Sequence, residues 1–486
     1  MANRVEWVVA ELAVAMLGAV LVAVNTRLQA PEVSAQLRHA RVRALLMAPR
    51  FAHHSFLTAL LEILPELDAL EHVVCVGEAR PPRIRSWASV LEAGTQVLPA
   101  RLAAACAAVG PEDALVVLYT TGTTAAPKGV LLSHGSALPH CFHTGEALAL
   151  TPADRLCFAI PLFGTWGCLN TLLSALSHGT TVVLLETFEP RAVLATVARE
   201  RCTVLHGVDA MFRALLAQPD LDQFDRRALR TGIVAMMAGA NPAFVRQIVE
   251  RLGLPQLIQA FGMTEAHAGV LTGRVTDPLE RRLDSVGRPA PGVEVRLVDP
   301  DVEREVGAGE VGELRVRGPN VMQGYLDDPA GTAAAFDADG WFRTGDLFER
   351  NVEGFYHFRG RLKELLKPGG FSVAPREIEE TLLQHPRVRE AYVVGVPDSR
   401  LGEVPMAFVI PAEGASPGAE ELLAFCRARL ANFKVPRYVR LVTDVPRARG
   451  PHGDKVQKPQ LRELALRELG LSQGVPGLGG SGAWLR

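Results

Sequence analysis

Short apolar runs alternate with amphipathic stretches through the first 285 residues. The runs at 114–119, 181–185, 203–206 and 232–236 are rich in β-branched residues and have the length of buried strands, whereas 191–201 and 242–252 carry helical spacing. Such alternation predicts α/β layers with mostly parallel strands. Near residue 285 the texture changes. VEVRLVD (293–299) and GEVGELRVRG (309–318) alternate strictly between apolar and polar positions, which predicts half-exposed antiparallel strands in a small barrel or sheet. From about Lys363 a third pattern begins. The stretch 374–398 reads as helix then strand, with Ile378, Leu382 and Leu383 on one helix face, and a second helix follows at 419–429. The expected organisation is a large N-terminal domain over 1–362, built of layered α/β sheets plus a small β-barrel-like part. A small α+β domain follows over 363–470, then a glycine-rich flexible tail over 471–486.

The longest apolar run, LAVAMLGAVLVAV at 12–24, has 13 residues, too few to span about 30 Å of hydrocarbon. Glu6 and Glu11 precede it, against a signal peptide. It is expected to form a buried helix through Leu17, a break at Gly18 and a buried strand into Asn25. A net charge of −2 gives no field to draw nucleic acid. Seven scattered cysteines without a CxxC pair imply reduced, buried thiols and a cytoplasmic protein.

One loop stands out chemically. YTTGTTAAPKG (119–129) joins two apolar runs and fails as a Walker A sequence, because Pro127 and Gly129 stand where a glycine and a hydroxyl are needed. Its ingredients still suit phosphate. Gly122 lets backbone N–H groups turn to an anion, Thr120, Thr121, Thr123 and Thr124 supply hydroxyl donors, and Lys128 supplies a point charge. The pair HCFH (140–143) lacks a second ligand pair, so helix surface and core is the better reading than metal.

YTTGTTAAPKGV resembles the phosphate loop of the adenylate-forming superfamily. Four more matches follow in the family's order: QAFGMTE (259–265), WFRTGD (341–346), RGRLKELLKPGGFSVAPREIE (359–379) and GDKVQKPQLR (453–462). The resemblance covers nearly the whole chain. It implies a mobile C-terminal lid, ATP and coenzyme A as substrates with a carboxylic acid, and Mg2+ as cofactor. It implies that Thr120–Lys128 hold the β- and γ-phosphates. Ala260, Phe261 and Gly262, with Gly239 and Ala240, would border the adenine. Thr264 would bond the α-phosphate, Glu265 would ligate Mg2+, and Asp346 and Arg361 would hold the ribose. Lys455 would bridge the carboxylate and the α-phosphate in the first half-reaction. In the second, the small domain would swing about Lys363 and bring Lys367, Gly369 and Gly370 to the site of thiol attack.

The chain departs from that pattern. Thr121 replaces a serine, Ala125 replaces a glycine, and Gly164 in PLFGTWG (161–167) replaces a histidine, leaving Trp166 to wall the pocket. Asp454 precedes Lys455 in a longer loop, where it is expected to pair with the lysine, and Lys458 is the fallback cation. The N-terminal run matches family sequence that normally follows an initial subdomain, so an apolar face is expected to lie uncovered. His206 and His267 are placed in the acyl pocket or as satisfied core histidines, and Met236 in that pocket on its strand. The expected activity is an acyl-CoA ligase for a fatty or aryl acid, releasing AMP and pyrophosphate, with a homodimer as a possible assembly. The alternatives are loading of a carrier-protein thiol and a degenerate nucleotide- or acyl-binding protein.

Overall fold

The computed structural model describes residues 1–52, 54–77, 84–120, 127–235, 241–368, 373–450 and 453–471, with 449–450 and 453–455 described by backbone alone. Two compact units result. The first comprises Met1–Val295, Arg315–Arg343 and Gly354–Tyr356; the second comprises Arg296–Leu314, Thr344–Glu353 and the described residues from His357 onward.

In the first unit, Thr181–Leu184, Arg155–Phe158, Val204–Leu205, Thr231–Ala235 and Gln256–Phe261 lie side by side as parallel strands. Leu271–Thr272 and Arg288–Pro289 extend that sheet antiparallel. The intervening helices are Pro190–Glu200, Asp209–Leu216 and Pro242–Gln247, the last continuing into a wider turn at Ile248–Gly253. Crossover helices cover a parallel sheet, which is why its strands read as unbroken apolar runs. Val204, Ile233, Val234, Leu257 and Ile258 are all buried in one core with Phe158 and Phe212. A second sheet orders Leu21–Ala23, Ala114–Thr120, Lys128–Ser133 and Gly324–Tyr325.

A helix, the break near Gly18 and a strand occur as expected, but the helix Val5–Met16 starts seven residues before the apolar run, the strand is only Leu21–Ala23, and the helix is not buried as expected. Trp7, Ala10 and Glu11 face inward, while Val5, Val9, Leu12 and Met16 are exposed. A run that is apolar all round cannot say which side packs. Glu11 enters the core instead, where burial pushes its carboxyl up to about 8.

The second unit carries most of a five-stranded sheet in the order Arg304–Glu305, Glu294–Asp299, Val311–Arg317, Phe342–Arg350 and Tyr356–Arg361. Its alternation is real, yet Val311–Arg317 is buried on both faces except at its ends, contrary to the half-exposed expectation. Its polar positions are paired. Glu313 accepts from the Gly345 N–H at 3.1 Å, and Arg315 sits 3.0 Å from Asp337. Further on, Val388–Asp398, Gly402–Pro411 and Tyr438–Leu441 form a three-stranded sheet. Val393, Ala407 and Val409 pack with Ile378, Leu382 and Leu422 of the helices Pro375–Leu383 and Ala419–Arg427. The alternate residues Val394, Met406 and Phe408 pack with Leu461 of the helix Lys458–Glu468. Period-two alternation thus serves two apolar cores at once.

Six of the cysteines are buried and Cys106 is half-buried. No helix among the described residues is long and apolar enough to cross a membrane.

Candidate active site

The threonine- and lysine-rich loop belongs to a hairpin. Ala114–Thr120 pairs antiparallel with Lys128–Ser133, so Thr120 and Lys128 stand opposite each other at its mouth. Thr121, Gly122, Thr123 and Thr124 lie outside the described residues. A strand and not a helix follows the loop, so an anion held here would have to be met by the loop and its lysine and not by the N-terminus of the next element. Gly129 follows immediately. A Cβ there would come within 3.0 Å of Val117 and 3.3 Å of Leu326, so its absence lets the segment around Gly324–Tyr325 lie against the hairpin.

That segment supplies a contact with the next motif. The Lys128 ammonium lies 4.4 Å from the Tyr325 ring centroid and 3.5 Å from Asp328, both ionic groups being well exposed. The Tyr325 hydroxyl donates to Glu265 Oε1 at 3.2 Å. Burial first, and then the Glu265 charge, push the Tyr325 phenol well above its ordinary range, so it stays a donor. Tyr119, at the other side of the mouth, is likewise raised to about 12 by burial and Asp327.

Thr264 and Glu265 open a single tight turn after the strand Gln256–Phe261, whose last residues Ala260 and Phe261 are half-buried. Gly262 is required where the turn closes, since a Cβ there would lie 2.1 Å from the Ala268 carbonyl carbon. Gln259 holds the strand from beneath, donating to the carbonyls of Arg282 and Leu283 at 3.1 and 2.8 Å. Glu265 is half-buried, and its backbone carbonyl accepts from Met322 N–H at 2.8 Å. One accessible carboxylate beside a threonine hydroxyl fits Mg2+, an ion that takes oxygen donors and keeps most of its ligands as water and phosphate.

The pocket residues divide. Trp166 heads the wide-turn helix Trp166–Leu173 and is half-buried. His206 is fully buried and its Nδ1 accepts from the Ile233 N–H at 2.9 Å; burial lowers its pKa to about 3. His267 is also buried, between Asn320 and Ser136. Both nitrogens of His267 are therefore engaged, and His206 is held through Nδ1. Met236, Gly239 and Ala240 lie outside the described residues. His140 of the HCFH stretch is a core residue near Asn170, and among the described residues no cluster of three metal-ligating side chains occurs.

In the second unit, Asp346 sits on a kink inside a strand. Gly345 takes φ +68° with open space around it, so backbone shape and not crowding calls for glycine there. Thr344 Oγ1 donates to the Leu314 carbonyl at 2.6 Å and accepts from the Asp346 N–H at 3.1 Å. The Asp346 carboxylate, almost wholly buried, faces Arg361 Nε at 3.0 Å. The two residues assigned to one sugar thus meet on neighbouring strands. Lys363 lies in the short turn Leu362–Glu364 directly after Arg361.

Lys367 forms a bidentate pair with Asp301, 2.8 Å to each oxygen. Gly369 and Gly370 lie outside the described residues. Lys455 falls on the second strand of a hairpin, Arg447–Gly450 with Gly453–Val456, opposite Ala448, and Asp454 stands opposite Arg449. Lys458 is engaged elsewhere. Its ammonium bridges Glu364 at 2.8 Å and Glu379 at 2.9 Å, and these carboxylates outweigh burial and raise its pKa. Glu379 also accepts from the Val393 N–H at 2.8 Å.

Sequence reading missed Tyr325, Asn320, Ser136 and Asp301. Tyr325 is 60 residues from Glu265, and no local spacing announces such a contact.

Known proteins resemble this chain along most of its length. Residues 1–326 match the family described as AMP-binding enzyme, and residues 377–450 match the AMP-binding enzyme C-terminal domain. A propanoyl:CoA ligase of Rhodococcus jostii (strain RHA1), whose named acyl group carries a methyl-dioxo-octahydroindene ring system, is 38% identical over 95% of this chain and 87% of its own length. The mitochondrial medium-chain acyl-CoA ligase ACSF2 of Danio rerio is 32% identical over 96% of this chain and 79% of its own. The solved anthranilate CoA ligase AuaEII, in complex with anthranoyl-AMP, superposes with a TM-score of 0.83 at 29% identity, covering 97% of this chain and 87% of that one.

Proposed function

The chain belongs to the AMP-binding enzyme family, and from that premise we propose that it activates a carboxylic acid with ATP and transfers the acyl group to coenzyme A. A carboxylate oxygen attacks the α-phosphorus, the bond to pyrophosphate breaks, and acyl-AMP forms. The thiol then attacks the acyl carbonyl, losing its proton, and AMP leaves. The observation that carries this reading is the line from Lys128 across Tyr325 to Glu265. It sets a cation from the loop's edge and a carboxylate beside one tyrosine.

Both reactants of the first step are anions, so the chain has to supply positive charge and donors where they meet. Lys128 and the hydroxyls from Thr120 onward bind the outer phosphates. Thr264 donates to the α-phosphate, and Asp346 accepts from the ribose hydroxyls with Arg361 beside it. Glu265 would hold Mg2+, which neutralises phosphate charge when bound. Lys455 supplies the bridging cation of the first step. Lys363 is the hinge, and Lys367 with Gly369 and Gly370 serves the second step. His206 and Trp166 border the acyl side. A fatty or aryl acid is the proposed substrate class.

The test is incubation of the protein with ATP, Mg2+, coenzyme A and a mixture of fatty and aromatic acids, followed by mass spectrometry of the thioesters and assay of pyrophosphate. Thioester and AMP in equal amounts are expected. Release of ADP, or nucleotide binding without any AMP, would overturn the proposal. Adenylate formed without thioester would move the acceptor to a carrier-protein thiol.

A further inference from the structure

Two residues past Glu265 the backbone takes an unusual shape. His267 and Ala268 both lie in the left-handed region, at φ +54° and +60°, which costs about 1–2 kcal/mol for each residue bearing a Cβ. The surroundings hold that shape. His267 Nδ1 is 2.8 Å from the Asn320 carbonyl, and Nε2 is 3.0 Å from Ser136 Oγ. A carbonyl only accepts, so Nδ1 carries the proton, and in the neutral ring Nε2 accepts from the Ser136 hydroxyl, whose single proton is shared with the Ser133 carbonyl at 2.9 Å.

Asn320 makes a second bond to the same turn, from Nδ2 to the Gly269 carbonyl at 2.8 Å, and Met322 N–H donates to the Glu265 carbonyl at 2.8 Å. Ser136 stands in the first turn of the helix His134–Ala147, which leaves directly from the strand bearing Lys128. The imidazole therefore ties three segments together: the Glu265 turn, the segment leading to Tyr325, and the base of the phosphate hairpin.

We propose that His267 is a positioning residue for acid activation, its two ring nitrogens fixing the turn that presents the Thr264 hydroxyl and the Glu265 carboxylate to the nucleotide. The inference rests on the adenylation reading above and deepens it. A histidine that merely filled the core would be replaceable by any apolar side chain of its size. Here the two bonds are separable. Asparagine places an amide N–H near the position of Nδ1 and tolerates positive φ, so H267N keeps the bond to Asn320. H267L keeps the bulk and loses both bonds.

The test uses the full chain as wild type, H267N, H267L and S136A. In the protein without nucleotide, amide hydrogen exchange across 264–269 is expected to speed up about tenfold or more in H267L and at most about threefold in H267N. In pyrophosphate release, H267L is expected to lose on the order of 10²-fold in kcat/KM for Mg·ATP, as a misplaced turn does. H267N and S136A each keep the bond to Asn320 and lose the one at Ser136, so both are expected to stay within about tenfold of wild type. Wild-type exchange and kinetics in H267L overturn the proposal. So does H267N falling as far as H267L at an unchanged Tm. If H267L does not fold, S136A and H267N decide: exchange and kcat/KM identical to wild type in both overturn the proposal, and a partial loss in both at an unchanged Tm supports it. Wild type that releases no pyrophosphate with any acid sinks the adenylation reading instead, and the exchange pattern still decides whether His267 holds the turn.

Discussion

The turn at Glu265 and the lysines of the second unit hold their functional groups in opposite ways. Around Glu265 the fixing bonds are directional: a buried imidazole and a buried amide each on a carbonyl at 2.8 Å, and a half-buried phenol on the carboxylate at 3.2 Å. In the second unit the fixing contacts are ion pairs, with Lys367 on Asp301 at the surface and Lys458 between Glu364 and Glu379. Buried hydrogen bonds in a strained turn admit one arrangement. The exposed pair at Lys367 holds its side chain weakly and lets it go at little cost, whereas the Lys458 cluster is more deeply set. The first suits groups that must meet phosphate in one geometry. The second, at Lys367, suits a lysine proposed to serve only the later step.

The comparison can be broken at several points. The largest effect is expected from Lys455→Ala. Removing a donor aimed at developing charge costs about 10²–10³ in rate, roughly 2.7–4 kcal/mol, so pyrophosphate release should fall by that factor while ATP affinity stays near wild type. An unchanged rate would put the cation elsewhere.

Lys458→Met comes next. It leaves Glu364 and Glu379 together without their cation. A fully buried pair broken this way loses about 3–5 kcal/mol; with Lys458 part exposed, about 2 kcal/mol is expected, read from denaturant unfolding. A negligible loss would mean that the base of the Lys455 hairpin is not anchored through this cluster.

Stability against pH probes the interior of the first unit. Burial lowers His140 and His206 to about 3 and His267 to about 4, from 6.5. The unfolded chain therefore takes up protons first. The stability these rings contribute is complete above about pH 6.5 and is lost as pH falls toward 3–4, at about 1.4 kcal/mol per ring and pH unit. Glu11 runs the other way. Its contribution is complete below its ordinary 4.5 and is lost as pH rises through about 8. Between 4.5 and 6.5 three imidazoles outweigh one carboxyl, so these groups together place the optimum near pH 6.5. Glu11→Gln should flatten the alkaline side in a series of urea midpoints, and an unchanged profile would remove Glu11 from the core.

The smallest effect is expected from Asp301→Ala. The pair is exposed on both sides, so stability should change by less than about 0.5 kcal/mol. A larger loss would make Asp301 part of the fold and not a releasable clip.

Much of the architecture was legible in advance, because hydrophobic period reports secondary structure directly. The parallel strands, the helix holding Ile378 and Leu382, and the alternating strands after residue 285 all fall where the spacing puts them. Spacing fails where both sides of an element carry the same character. The helix Val5–Met16 carries apolar residues on every side and two glutamates among them, and only packing decides that Trp7 and Glu11 turn inward while Val9 and Leu12 face out. Alternation also misled at Val311–Arg317, where polar meant paired and not exposed.

The amino-acid order by itself determined the chemistry on offer: a hydroxyl-rich loop with one lysine, a carboxylate after a strand, a Thr-Gly-Asp kink and a late lysine, each a local feature set by neighbours in the chain. Only the tertiary structure decided what those groups touch. Tyr325 reaches Glu265, His267 joins Asn320 to Ser136, and Lys458 is committed to two glutamates, because side chains far apart in sequence share a partner only once burial has removed the water that would otherwise serve them.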